Sequence, residues 1–343
     1  MFLPTGKQWL MILISLAVIA INGCGQKSGR EVVAYVSVDR IYAEPILEKF
    51  SQETGIKVLP VYDVEATKTT GLANRLLLEK NRPQADVFWS GEFVQTLMLQ
   101  ENNVLVSYVS ANGEKLPAQY RDPQGYWYGI GGRARVLLAN TEKLEENQYP
   151  RSLNDLVSLT AGGQSVGIAY PIFGTSATHA AALYAYWGNG QAEEFYLDLQ
   201  EQGVRVVDGN SVVRDLVVNG QLAIGLTDTD DACSAVAKGE PVEIILPDQG
   251  QGQMGAFVLT GTVALIANGP HPEAGQALVD FLTDPSTEVE LIKAGGSQLP
   301  LYPSSPVSTC LKNLVVKPME VNPAQVFEQL ETSKRDLQTI FVR

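Results

Sequence analysis

From Val32 onward, short β-branched runs alternate with longer stretches of helical period, and this alternation constrains the fold more than any single motif. "VVAYVSV" (32–38) predicts a strand, and "YAEPILEKFSQETG" places Ile46, Leu47 and Phe50 at helical spacing before stopping on Gly55. The pair recurs as "IKVLPVYD" followed by "TKTTGLANRLLLEKN", and again as "ADVFWS" followed by "EFVQTLMLQENN". Strand and helix in turn predict an α/β architecture with a mainly parallel sheet and right-handed crossovers.

The texture changes at Tyr126. "YWYGIGGRARVLLANTEKL" reads as two extended segments parted by Gly131-Gly132, a connection between lobes rather than another βα unit. The alternation then restarts with "SVGIAYP", "SATHAAALYAYWG", "AEEFYLDLQEQG", "VRVVDG", "SVVRDLVVNG", "LAIGLT", "DDACSAVAKG" and "VEIILP". The β-rich "GAFVLTGTVALIAN" predicts a second crossing, with helices behind it and an amphipathic helix over 323–341. The expected division is one lobe of 32–130 with 258–305 and a second of 131–257 with 306–343. Two such lobes leave a cleft at the hinge, and in open α/β sheets ligands bind beyond the carboxyl ends of the strands.

The N-terminus carries Lys7 and then an apolar run from Trp9 to Ile21, too short to span a bilayer of about 30 Å. A small residue and a cysteine behind such a run form a secretory-signal pattern. "INGC" resembles the lipobox of bacterial lipoproteins, which implies removal of 1–23, lipidation of Cys24 and a polar tether over 24–31. The expected location is therefore outside the cytoplasm, in the periplasm or at the cell surface, on a lipid anchor. What remains is long enough for about two domains of ~100–200 residues. A net charge of −13 argues against nucleic acid as partner, since phosphate backbones need a basic footprint. Cys233 and Cys310 are left either as a disulfide, which an oxidising compartment permits, or as two buried thiols.

Several stretches in this order, "LEKFSQETGIKV", "ADVFWSGE", "RARVLLANT", "GLTDTDDA" and "GTVALIANGPHPEAGQALVDFLTDPSTEVEL", resemble bacterial extracellular solute-binding proteins, the receptor subunits of ABC importers. Within them the chain is similar to the ferric-ion-binding branch. The resemblance implies a two-lobed periplasmic-binding-protein fold of type II with two hinge crossings. It also implies no catalytic activity, no cofactor, a monomer, and a permease with its ATPase as partners. Ferric-binding relatives commonly hold the metal through adjacent tyrosines where this chain has "TDTDDA". Here Asp228, Asp230 and Asp231 would have to supply the hard oxygen donors for Fe3+.

The strand ends nominate the rest of the site. They are Ser37 and Asp39 after the first strand, Thr67, Thr69 and Thr70 after the second, and Trp89, Ser90 and Glu92 after the third. The second lobe adds Thr175, Ser176 and Thr178, then Ser211, then Asp228 and Asp230, with Arg133 as counter-charge beside Lys68, Arg135 and Arg214. Hydroxyls ahead of helices suit an anionic group, because helix N-termini present unpaired N–H groups and partial positive charge. The same residues also serve as ordinary N-caps. Trp89, Tyr126, Trp127, Tyr128 and Tyr170 are the aromatic candidates for the cleft wall, with Tyr126, Tyr128 and Tyr170 the phenols nearest a metal. His179 opens a helix close to the cleft and His271 sits in a turn. The resemblance favours ferric iron, alone or with an anion, as the ligand; the alternative, which the hydroxyl-rich helix starts suggest, is a small oxyanion such as a phosphonate or sugar phosphate. No nucleophile or metal-protease motif supports an enzyme, which leaves carboxylate chemistry or a sensor receptor as the other classes.

Overall fold

The computed structural model describes residues 30–63 and 71–341. Three βα units open it: β1 (Glu31–Val36) and α1 (Arg40–Thr54), β2 (Lys57–Tyr62) and α2 (Gly71–Leu78), β3 (Val87–Ser90) and α3 (Phe93–Glu101). Next come β4 (Leu105–Val106), β5 (Tyr128–Asn140) and α4 (Asp155–Ala161), then β6 (Val166–Ala169), α5 (Gly174–Trp187) and α6 (Asn189–Glu201). They are followed by β7 (Arg205–Val207), α7 (Asn210–Val218), β8 (Ile224–Asp228), α8 (Thr229–Ala237) and β9 (Val242–Ile245). The chain closes with β10 (Val258–Ile266), α9 (Pro272–Leu282), α10 (Pro285–Ala294) and α11 (Pro323–Ile340).

The strands follow the order β2-β1-β3-β10-β5-β8-β6-β7, with β4 on β10 and β9 on β5. Each outer group, β2-β1-β3 and β8-β6-β7, is parallel, and β10 and β5 run antiparallel between them. Both faces of the inner strands β3, β6 and β8 are covered, so they read as apolar runs rather than as a polar/apolar alternation. Val32, Ala34 and Val36 of β1 pack with Ile46, Leu47 and Phe50 of α1, while Tyr35 joins a separate cluster with Leu72 and Leu76 of α2. In β5 the same division sends Val136 and Leu138 to Val213 and Val217 of α7, and Leu137 to the cluster holding Leu183 of α5. Each such aliphatic side chain contributes about 1.5–3 kcal/mol on burial.

The glycine pair does not divide β5. Tyr128–Asn140 is one strand of 13 residues that pairs with β10 through Ala134 and with β8 from Arg135. The glycines admit a neighbouring backbone instead. Leu299 N–H donates to the Gly132 carbonyl at 2.9 Å, and a Cβ on Gly132 would sit 2.9 Å from the Leu299 carbonyl oxygen. Helix α4 has no counterpart in the sequence reading, its seven residues being too short to display a full apolar period. Cys233 of α8 is disulfide-bonded to Cys310 in the 3-10 turn Thr309–Leu311, which settles the choice between a bridge and free thiols. The expected signal segment, Cys24 and the tether up to residue 29 lie outside the described residues.

Candidate ligand-binding site

A cavity of about 410 Å³ lies where the carboxyl ends of β1, β3, β6 and β7 meet β5 and α8. This is the size of a site for a small organic molecule. From the first group of strands it takes Ser37, Asp39, Trp89 and Glu92, and from β5 Gly131 and Arg133. The second group supplies Thr175 and Ser176 at the start of α5, Asp208–Ser211 at the start of α7, and Asp230 and Asp231 in the first turn of α8. Of the expected residues, Ser37, Asp39, Trp89, Glu92, Arg133, Thr175, Ser176, Ser211 and Asp230 are thus brought together. Thr67, Thr69, Thr70 and Lys68 fall outside the described residues.

Three expected residues stand behind the wall instead of on it. Ser90 is fully buried, and its Oγ accepts from the Glu92 N–H at 3.4 Å. Thr178, buried on α5, donates to Glu92 Oε2 at 2.8 Å across the cleft floor. Asp228 is buried at the end of β8. Its Oδ1 lies 2.7 Å from Arg135 Nη1, and its Oδ2 accepts from Thr175 Oγ1 at 2.7 Å and Asn210 Nδ2 at 2.9 Å. Asn210 completes the knot by accepting from Arg135 Nη1 at 3.0 Å and Ser176 Oγ at 3.3 Å. Asp228 therefore fixes the starts of α5 and α7 rather than presenting oxygens to a ligand.

The expectation that Asp228, Asp230 and Asp231 converge on a metal is not met. Each carboxylate turns to a different guanidinium: Asp228 to Arg135 at 2.7 Å, Asp230 to Arg133 at 3.7 Å and Asp231 to Arg214 at 2.7 Å. Among the described residues no group of three His, Cys, Asp or Glu side chains is arranged to hold a metal ion. The physical reason is the helix. Asp230 and Asp231 are consecutive in α8 and point about 100° apart, while Asp228 belongs to the preceding strand.

The aromatic candidates divide in the same way. Trp89 and Tyr170 line the cavity, although the Tyr170 hydroxyl donates to the Phe341 carbonyl at 3.0 Å. Tyr128 is buried away from it, its hydroxyl donating to the Tyr108 carbonyl and accepting from the Ser110 N–H, and Trp127 and Tyr126 pack in the core. His179 is core as well, stacked on Phe257 at 5.7 Å, with burial and Arg135 keeping its imidazole well below the ordinary range and hence neutral. His271 holds its turn through Nδ1, 3.0 Å from Asp86. Tyr42, Phe173 and Asn210, all at the cavity, escaped the sequence reading. Tyr42 lies one turn into α1 after Asp39, a spacing that could have nominated it. Phe173 and Asn210 carried no signal of their own.

Burial and charge set the protonation states. Burial raises the Glu92 carboxyl, with Thr178 and Arg133 only partly opposing it. Burial likewise raises Asp230 against the pull of Arg133, and burial together with Asp230 pushes Asp231 up to about 7 despite Arg214. For Asp228 burial works the same way, but Arg135, Arg133 and the Thr175 hydroxyl outweigh it and hold the carboxyl below its ordinary value. Burial opposes the charge of Arg133, yet Asp230, Asp228, Glu92 and Asp39 keep that guanidinium firmly protonated.

Five helices, α1, α3, α5, α7 and α8, begin at this cavity, and at none of them does the N-cap side chain bond to the first turn. Asp284 of α10 and Asn322 of α11 do cap their helices through their side chains, and neither lines the cavity. Simple capping thus fails as the explanation of Asp39, Glu92 and Asp228. Uncapped helix starts leave N–H groups and positive dipole ends directed at the space between them.

A family model described as bacterial extracellular solute-binding protein matches residues 82–324. The chain belongs to that family. Its members are binding proteins rather than enzymes. A relative from Serratia marcescens, an Fe(3+)-binding periplasmic protein, is 25% identical over 277 residues, covering 79% of each chain. A Trichodesmium protein solved with iron and citrate superposes with a TM-score of 0.80 at 20% identity, over 91% of this chain and 100% of that one. The periplasmic binding protein AfuA of Actinobacillus pleuropneumoniae, solved with fructose-6-phosphate, gives 0.73 at 19% identity, over 91% and 98%. At these identities the solved structures establish the fold, that of the two-lobed periplasmic binding proteins. Among the described residues no helix is long and apolar enough to cross a membrane.

Proposed function

We propose that this solute-binding protein is the receptor of an ABC importer and that its cleft takes a small solute carrying an oxyanion, an organic phosphate in particular. The supporting observation is the gathering of five uncapped helix starts around a cavity of about 410 Å³ with Arg133 on its wall, while the nearby aspartates are matched to arginines. N–H groups at helix starts bind phosphate without a metal. The lobes are 32–130 with 258–305 and 131–257 with 306–343, and they close over the solute by bending β5 and β10. Closure stabilised by contacts to both lobes shifts the open and closed populations. The closed form is handed to a permease, and Cys24 carries the lipid that keeps the receptor at a membrane surface.

A second reading, a ferric ion bound together with an anion, is favoured by the iron-binding relatives and by Tyr42, whose phenol ring lines the cavity together with Asp230 and Asp231. Calorimetry on protein purified without refolding separates the two. Inorganic phosphate and glucose 6-phosphate are titrated into one sample and ferric citrate into another, with metal analysis and native mass spectrometry of the protein as isolated. Binding of the phosphates by metal-free protein supports the first reading. Ferric citrate binding with no response to either phosphate overturns it in favour of the second.

A further inference from the structure

The cavity has an apolar lip that an inorganic anion would not use. Phe173 lines it and is 67% exposed, its ring standing edge-on to Tyr170 with centroids 5.8 Å apart. The residue occupies the N-cap position of α5, where Ser, Thr, Asp or Asn would stabilise the helix, and it makes no cap hydrogen bond. A phenyl group there forgoes the cap and also leaves apolar surface in water. Val38 after β1, Tyr42 of α1 and Leu291 of α10 line the same cavity. A solute with a carbon skeleton would cover this lip when the cleft closes, gaining the contact area that aromatic walls supply in small-molecule sites.

A second feature is independent of the first. Among the described residues Asp230 Oδ1 has no hydrogen-bond partner, its side chain is 41% exposed at the cavity, and Arg133 lies on the side of Oδ2 at 3.7 Å. An acceptor left without a donor on a cavity wall is satisfied by one that arrives with the ligand. The phosphate group of a monoester dianion brings no such donor. A hydroxyl does.

We propose that Phe173 and Asp230 determine specificity for a polyhydroxylated organic phosphate, Phe173 stacking on the C–H face of the carbon skeleton and Asp230 accepting from a hydroxyl, while the helix starts and Arg133 hold the phosphate. The inference rests on the oxyanion reading above and narrows it. Phe173 is a surface residue, so its replacement leaves the fold intact, and melting of the ligand-free variants verifies this.

The test is isothermal calorimetry of the wild type, Phe173→Ala and Asp230→Asn with glucose 6-phosphate, with inorganic phosphate and with inorganic sulfate. Phe173→Ala is expected to weaken glucose 6-phosphate about tenfold and to change inorganic phosphate by less than about twofold. Asp230→Asn should weaken glucose 6-phosphate and tighten inorganic sulfate, a dianion with no hydroxyl to donate, because it removes a hydroxyl acceptor and a like charge together. Equal losses on the sugar phosphate and the inorganic anions, or no loss on any of them, overturn this inference and leave the oxyanion reading standing. Failure of the wild type to bind any of the three probes overturns both.

Discussion

Arg135 Nη1 lies 2.7 Å from Asp228 Oδ1 with the two side chains only 1% and 5% exposed, so the first acid of the aspartate loop is neutralised inside the protein. The pair joins β5 to β8 and, through Asn210 and Thr175, orders two helix starts at the cleft. Removing one member of a buried pair leaves an uncompensated charge, and Arg135→Met should cost about 3–5 kcal/mol in urea unfolding. Adding Asp228→Asn to it should cost less than the sum of the two single changes. Additive losses would show that the two side chains do not depend on each other.

Asp231 predicts an inverted pH response. Its folded carboxyl sits at about 7, well above the ordinary carboxylate value, so between about pH 7 and pH 4 the folded state holds a proton that the unfolded state lacks. Its contribution to stability is present at the acid end of that window and is lost as pH rises through 7. Melting temperatures of wild type and Asp231→Asn across pH 4.5–8 should differ in slope, the variant being flatter. Asp228, held low, acts in the opposite sense, its stabilisation present above the ordinary value and lost as pH falls below it. Parallel curves for wild type and Asp231→Asn would refute the assignment to Asp231.

Glu92 borders the proposed anion and shares its wall with Arg133. Replacing the carboxylate by an amide keeps an acceptor for Thr178 and removes a like charge. Glu92→Gln should tighten phosphate binding at pH 8 about threefold, and the gain should shrink as the pH is lowered, because burial raises the carboxyl and favours its protonated, uncharged form. The same affinity for both proteins at pH 8 would place the anion elsewhere in the cavity.

The disulfide encloses a sequence separation of 77 and anchors α8, which carries Asp230 and Asp231, to the segment after α10. Its loss through Cys233→Ala with Cys310→Ala should reduce stability by about 2–4 kcal/mol. Equilibrium denaturation measures this, and an unchanged midpoint would mean that packing of Leu311 and its neighbours alone holds the segment.

Local patterns announced the βα units because strands buried on both faces leave continuous apolar runs, and Val87 to Trp89 is one. They misread β5, since Gly131-Gly132 has the composition of a break while its role is to admit the backbone of Leu299. The aspartate loop was legible as a cleft element but not as to chemistry. Asp228 finds Arg135 at a sequence separation of 93 and Asp231 finds Arg214 at 17, and nothing in a four-residue window reveals such partners. Of the hydroxyl residues nominated around α5 and α7, Thr175, Ser176 and Ser211 line the cavity, while Thr178 is buried behind it. Phe173 could not be found this way because an aromatic before a helix ordinarily reads as core.

Strand β5 passes from β10 to β8 between Ala134 and Arg135, one residue beyond Arg133. In the closure proposed above, a ligand that grips the Arg133 guanidinium would take hold of the spindle about which the two leaves turn. Torque applied there would reach both leaves at once, with no intervening lever to absorb it.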